Sequence, residues 1–240
     1  MSIHFESDHP FIAVPLECET IEDLQDRIDE ILKKPYDMIA FDAGCFNGTI
    51  NLSQLWNALL FIARDAEQPS VLFSCDKSKL PEMYQTDNDY ATILRFAIRS
   101  ALIDAVKIEG SLDEDHIDDI GQAVDLGSVP IIVIRADQGA KADELVQKME
   151  SRWDLEAKTF ELAVPVQTKE DIQALEDAAK AFHEAHHDAT VIPHPIGKIA
   201  KEAMLQGQTF GAPLLYTTDG EETETLPTST AIHKLLHPEE

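Results

Sequence analysis

Short apolar runs alternate with amphipathic stretches along the whole chain. The runs are rich in Val, Ile, Leu and Phe, which is typical of buried parallel strands. They lie at residues 11–16, 37–41, 70–75, 105–109, 130–135, 159–164, 189–193 and 213–217. Stretches with apolar residues at helical spacing follow them, at residues 21–34, 52–66, 90–101, 113–126, 142–152, 170–183, 197–205 and 228–236. The pattern therefore predicts successive strand–helix units, and Thr20 is the expected N-cap of the first helix.

The number and spacing of these units indicate the fold class. The chain has 240 residues, so each unit takes about 30 residues, which is typical of a TIM barrel. An open doubly wound sheet is the structural alternative, but no glycine-rich phosphate loop follows the first strand. We therefore predict an α/β protein that is a single (β/α)8 barrel domain over residues 1–240.

The charge of the chain excludes several functions. The sequence has 19 Lys+Arg against 45 Asp+Glu, which gives a formal net charge of −26. Nucleic acid and anionic membranes need clustered basic residues, so neither is an expected partner. The sequence contains no apolar run long enough to span a membrane, and with 3 Cys it has no disulfide framework. These features favour a cytoplasmic location.

Acidic residues lie near the predicted carboxyl ends of several strands, where barrel enzymes hold their active sites. Oxygen ligands favour Mg²⁺, Ca²⁺ or Mn²⁺, so a divalent cation site is one hypothesis, and solvated carboxylates without a ligand are the other. His194 is a candidate proton carrier, but the sequence supplies no orienting partner for it. The carboxylates of the candidate metal site are Asp42, Asp76, Asp137 and Glu161.

Several short segments along the chain form a recognisable series: Val14-Pro15-Leu16, residues 103–109, residues 163–171, Ile196-Gly197-Lys198 and residues 207–211. In this order they resemble segments of the type I 3-dehydroquinate dehydratases of the shikimate pathway. The resemblance implies a barrel that dehydrates 3-dehydroquinate to 3-dehydroshikimate through a Schiff base, requires no cofactor and forms a homodimer.

The same resemblance implies that the working residues of the family are replaced. The Schiff-base lysine of the family matches Glu161, and the catalytic histidine matches Asp137. A carboxylate cannot form a Schiff base, and aspartate in place of arginine repels an anionic substrate. The matched substrate-binding positions hold Ala40, Asp42, Asp76, Met204 and Ser229.

We therefore predict a family member that has lost this activity, a pseudoenzyme or a binding or regulatory protein with an acidic barrel mouth. Its expected ligand is small and either cationic or metal-bound. The alternative is a repurposed enzyme, either metal-dependent through the four carboxylates or a Schiff-base lyase or aldolase that uses Lys107. Lys107 matches an acidic position of the family, so lysine and acid have changed places. If Lys107 and Glu161 both face the barrel interior, they form an ion pair and neither is a free reactive group.

Overall fold

Parallel strands that alternate with helices form one curved sheet in the computed structural model, which describes residues 3–64, 70–124, 127–153, 157–218 and 220–238. The strands are β1 (Phe11–Leu16), β2 (Met38–Asp42), β3 (Ser70–Ser74), β4 (Ala105–Glu109), β5 (Val129–Arg135), β6 (Thr159–Pro165), β7 (Thr190–Ile196) and β8 (Leu214–Tyr216). The helices are α1 (Ile21–Ile31), α2 (Leu52–Arg64), α3 (Asp87–Arg99), α4 (Glu114–Gly121), α5 (Ala142–Glu150), α6 (Lys169–Ala185), α7 (Lys198–Met204) and α8 (Ser229–Leu236). The predicted strand–helix order is confirmed.

The sheet curls into a nearly closed barrel. Its order is β7-β6-β5-β4-β3-β2-β1-β8, so each strand from β1 to β7 pairs with its neighbours in the sequence, and β1 also pairs with β8. The two ends of this order, β7 and β8, lie side by side, and the rings of His194 and Tyr216 have their centroids 4.2 Å apart across the seam. The predicted (β/α)8 barrel is confirmed.

Local sequence explains where the first helix begins and which face it buries. Thr20 caps α1 as predicted, because its hydroxyl accepts from the Asp23 amide at 3.1 Å and the Asp23 carboxylate accepts from the Thr20 amide at 3.2 Å. Leu24, Ile28 and Ile31 then recur at helical spacing and are buried against the barrel.

The largest differences from the predicted helix boundaries are in α1, α3 and α4, and α1 ends at Ile31 rather than at residue 34. Helix α3 begins at Asp87 rather than residue 90, because the Thr86 side chain accepts from the Asp89 amide and caps an earlier turn. Helix α4 ends at Gly121, since glycine is a poor helix former, although the prediction extended to residue 126. Residues 125–126, like residues 65–66 of the predicted second helix, lie outside the described residues.

Side chains alternate across each strand between an outer layer under the helices and the barrel interior. The interior is packed by small and medium apolar side chains, and Phe5 covers its amino-terminal end, edge to face with Phe11 at 5.7 Å between centroids. This packing fills the barrel near the amino-terminal ends of the strands, so the polar interior positions lie toward their carboxyl ends. The packed interior residues are Ala13, Met38, Leu72, Ala105, Ile131, Ile192 and Leu214.

Candidate functional site

Four polar side chains meet directly above this packed interior, one on each of β4, β6, β7 and β8. They stand two residues further along their strands than the residues of the layer below, so they face the same way. We call them the floor cluster, since they form the floor of the barrel mouth: Lys107, Glu161, His194 and Tyr216.

Glu161 is the centre of the floor cluster. Its side chain is 1% exposed, and its two oxygens accept from three neighbouring groups. The Lys107 ammonium lies 3.1 Å from Oε1 and 2.9 Å from Oε2. His194 Nδ1 lies 2.8 Å from Oε1, and the Tyr216 hydroxyl donates to Oε2 at 2.7 Å. The predicted ion pair between Lys107 and Glu161 is therefore present, and Lys107 is not a free amine.

The ion pair keeps Glu161 charged in a buried place. Burial alone would raise the pKa of Glu161, but the Lys107 ammonium and the His194 hydrogen bond hold this pKa well below its usual range. The pKa of Tyr216 is raised, by burial first and then by the adjacent Glu161 charge. Tyr216 also places its ring under the Lys107 ammonium, with 4.1 Å from Nζ to the centroid. The floor cluster is therefore a fixed carboxylate surrounded by donors.

The lowered pKa of Glu161 predicts a specific contribution to stability in acid. Above the unfolded-state pKa of about 4.3, this contribution is fully present, and it is lost as the pH falls toward the lower folded pKa. The Glu161→Gln variant should therefore lose stability less steeply than the parent chain below about pH 4.3, by up to about 1.4 kcal/mol per pH unit. Urea unfolding at a series of acidic pH values measures both slopes. The exposed Glu224→Gln variant is the control, and equal slopes for Glu161→Gln and the parent would contradict the assignment.

Glu161 is the partner that orients His194, and sequence reasoning did not identify this contact. Strands β6 and β7 pair Glu161 with Ile192 and Ala163 with His194, so Glu161 and His194 are diagonal neighbours on the same face. The alternation of side chains along β6 and β7 could have indicated the contact. Once the parallel pairing of the two strands is known, this alternation places both side chains in the barrel interior.

Asp42 lies at the rim of the mouth and is already neutralised. Lys79 Nζ lies 2.8 Å from its Oδ2, and the amides of Gly44 and Asp76 donate to its Oδ1 at 3.0 and 2.9 Å. Burial raises the pKa of Asp42, but the Lys79 contact and these amides lower it further than burial raises it. The Lys79 ammonium also lies 3.2 Å from Glu17 Oε1. Sequence reasoning did not identify Lys79 as the counter-ion of this rim.

The divalent cation site on Asp42, Asp76, Asp137 and Glu161 stays a prediction, and the structure does not favour it, because among the described residues these four do not form one group with ligand atoms close enough for a metal. Glu161 lies in the floor with its oxygens taken, whereas Asp76 accepts from the Ser78 amide and hydroxyl within its own turn, and Asp137 is exposed in the loop after β5. Within the described ranges, the group with ligand atoms close enough for a metal is Glu17, Asp42 and Cys45. Lys79 Nζ contacts each of them, at 3.2, 2.8 and 3.1 Å, so an ammonium already supplies the positive charge there.

The remaining predicted binding positions are not gathered in the mouth. Met204 is 6% exposed and packs in the outer layer, and Ser229 is fully buried at the start of α8. Ala40 packs against the interior of the barrel below Asp42 on β2. At the rim, Glu109 and Arg135 instead form a two-pronged ion pair, with distances of 3.0 Å from Nε and 2.7 Å from Nη2.

The fold and the site define a class of protein: a (β/α)8 barrel whose mouth has a lysine–glutamate pair as its floor. The family model of the Type I 3-dehydroquinase matches residues 12–239, and the chain belongs to this family. It is 24% identical to a 3-dehydroquinate dehydratase of Klebsiella pneumoniae (strain 342) over 237 residues, which covers 98% of this chain and 94% of the relative. It is 25% identical to the 3-dehydroquinate dehydratase of Lactiplantibacillus plantarum over 222 residues, with 91% and 88% covered.

Solved structures of similar proteins share the fold. A type I 3-dehydroquinate dehydratase from Clostridium difficile superposes with a TM-score of 0.85 at 19% identity, covering 96% of this chain and 92% of that one. The 3-dehydroquinate dehydratase from Geobacillus kaustophilus HTA426 gives a TM-score of 0.84 at 16% identity, with 96% and 91% covered. Among the helices that the structure describes, we find no candidate for a membrane-spanning segment.

Proposed function

We propose that this chain does not dehydrate 3-dehydroquinate through a Schiff base, and that it acts as a binding or regulatory member of its family. The main support for the proposal is the burial of Glu161 and the contacts of its carboxylate. A carboxylate with 1% exposure, held by an ion pair and two further hydrogen bonds, occupies the interior of β6. By resemblance this is the position of the reactive lysine, and a carboxylate offers no amine for the covalent step.

The electrostatics of the mouth support the same proposal. The substrate of the family reaction is itself a carboxylate, which needs cationic groups free to bind it. The basic side chains at the rim are already engaged, because Lys79 contacts Asp42 and Arg135 contacts Glu109. The exposed carboxylates Asp76 and Asp137 add repulsion. A small cationic ligand therefore suits the mouth better than an anion does.

The alternative of a Schiff-base lyase or aldolase through Lys107 is less well supported. A nucleophilic lysine must lose its proton, and burial or neighbouring cations normally favour that loss. Lys107 instead lies in an ion pair with Glu161, with 2.9 Å from Nζ to Oε2. A homodimer and a cytoplasmic location stay predictions, the second in keeping with the free thiols of Cys18, Cys45 and Cys75.

Borohydride trapping tests the proposal. The chain is mixed with 3-dehydroquinate and sodium borohydride, and the mass of the intact protein is then measured by mass spectrometry. We expect no stable adduct. The dehydratase from Clostridium difficile is the positive control. A double variant, Lys107→Glu with Glu161→Lys, is the matched control because it moves the amine to β6 and keeps an acid beside it. An adduct on the parent chain that maps to Lys107 would establish the alternative instead.

A further inference from the structure

We propose that the floor cluster is an acid–base site in which His194 removes a proton next to a carbonyl group and Lys107 stabilises the oxyanion that forms. The inference rests on the proposed loss of the Schiff-base reaction, because that loss leaves the floor cluster free for other chemistry. The chemical class of the substrate is a small carbonyl compound that is uncharged or cationic. Glu161 is the positioning residue of this site.

The carboxylate of Glu161 fixes the tautomer of His194. An ionised carboxylate only accepts hydrogen bonds, so His194 Nδ1, 2.8 Å from Oε1, carries the proton. In the neutral ring, Nε2 is then the basic nitrogen. Within the described residues, no hydrogen-bond partner contacts Nε2. A histidine oriented by a buried carboxylate is the arrangement that general-base catalysis requires.

The two reactive groups are open to the mouth and close to each other. The side chains of Lys107 and His194 are each 20% exposed, whereas Glu161 between them is 1% exposed. Because packed apolar side chains lie below, this exposure faces the carboxyl ends of the strands. Lys107 Nζ and His194 Nδ1 bond the same oxygen, at 3.1 and 2.8 Å, so one small molecule can reach both side chains.

The proton transfer balances without any co-reactant. His194 Nε2 takes the proton from the carbon next to the carbonyl, and the electrons of that C–H bond form a carbon–carbon double bond. The π electrons of the carbonyl move onto its oxygen, where the Lys107 ammonium donates a hydrogen bond to the new charge. The reverse step returns a proton from the imidazolium. In heavy water the returned proton is a deuteron, so exchange at carbon reports the step.

Charge selects the substrate class. Lys107 is paired by Glu161, and the rim cations are paired with Asp42 and Glu109, so no unpaired positive charge faces the mouth among the described residues. An anionic carbonyl compound would meet a net negative rim. The substrate class is therefore a short, uncharged or cationic hydroxyketone or aminoketone.

The test follows the exchange of carbon-bound protons of dihydroxyacetone in heavy water by proton NMR. We expect exchange with the parent chain about 100-fold faster than with the His194→Gln variant, the scale of general-base catalysis. The His187→Gln variant, which alters an exposed histidine, should match the parent. Exchange by the parent no faster than by His194→Gln would overturn the proposal.

A second measurement on the parent chain needs no variant and so does not depend on whether His194→Gln folds. Long-range proton–nitrogen NMR reports which ring nitrogen carries the proton, and we expect the Nδ1–H tautomer for His194. The Nε2–H tautomer would overturn the proposal, because the base would then be blocked. The same preparations are assayed with 3-dehydroquinate. Dehydration would contradict the proposed function, whereas failed exchange without dehydration would contradict only the acid–base site.

Discussion

Replacing Lys107 with methionine is expected to lower the free energy of unfolding by about 3 kcal/mol. The substitution leaves Glu161 as a charge with 1% exposure and no ion-pair partner. Removing one member of a buried pair typically costs about 3–5 kcal/mol, and the lower end applies because His194 and Tyr216 still bond the carboxylate. Urea unfolding followed by circular dichroism measures the change.

Two further variants distinguish the loss of the ion pair from a general effect of replacing a lysine with methionine. Lys198 pairs with Glu202 on the surface at 3.9 Å, so Lys198→Met should change the free energy of unfolding by no more than about 0.5 kcal/mol. The double variant Lys107→Met with Glu161→Gln should regain part of the lost stability, because it leaves no buried charge and keeps an oxygen that accepts from the Tyr216 hydroxyl. A loss below about 1 kcal/mol for Lys107→Met alone would mean that Glu161 does not depend on its partner.

The ion pair between Lys107 on β4 and Glu161 on β6 explains how the barrel holds two charged side chains in its interior. A lysine and a glutamate in the interior each offset the cost of burying the charge of the other, whichever strand carries the lysine. The floor cluster adds His194 and Tyr216 from β7 and β8 to this pair, so four strands are linked at one level of the barrel. At the same place, the rings of His194 and Tyr216 contact each other across the seam between β7 and β8, with an interplanar angle of 33°.

The barrel itself could be predicted from the sequence because hydrophobic periodicity is a local property. Strand alternation and the Thr20 cap are set by residues near each other in the chain, and the structure agrees with both. The end of α4 differed because its apolar pattern continues beyond Gly121 while the hydrogen-bonded helix does not.

The site could be predicted only in part, because it depends on which strands pair and in what register. The Lys107–Glu161 pair was expected from the exchange of their residue types. The contact from Lys79 to Asp42 spans 37 residues and depends on a short turn after β3, which no periodic pattern reveals. For the same reason, the sequence suggested one metal site from carboxylates near the ends of several strands. In the structure, the Asp76 carboxylate accepts from the Ser78 amide in its own turn, and Glu161 lies below the rim in its ion pair with Lys107.

We also predict that the chain does not accelerate the dehydration of 3-dehydroquinate, which would be a large difference from an active dehydratase. Enzymes accelerate their reactions by about 10⁶-fold or more, and the family reaction obtains its acceleration from an amine that Glu161 cannot provide. The His194 site does not replace that amine, since Lys107 is engaged in an ion pair with Glu161. The rim also offers no unpaired basic side chain, among the residues described, to bind the substrate carboxylate.

The most direct measurement is the formation of 3-dehydroshikimate from 3-dehydroquinate by the purified chain, followed by the ultraviolet absorbance of the product. We predict a rate equal to that of buffer alone, with the dehydratase from Clostridium difficile as the active control under the same conditions. Turnover by the parent chain that disappears in the Glu161→Ala variant would contradict the central claim, because it would place family chemistry on the residue assigned here to the ion pair.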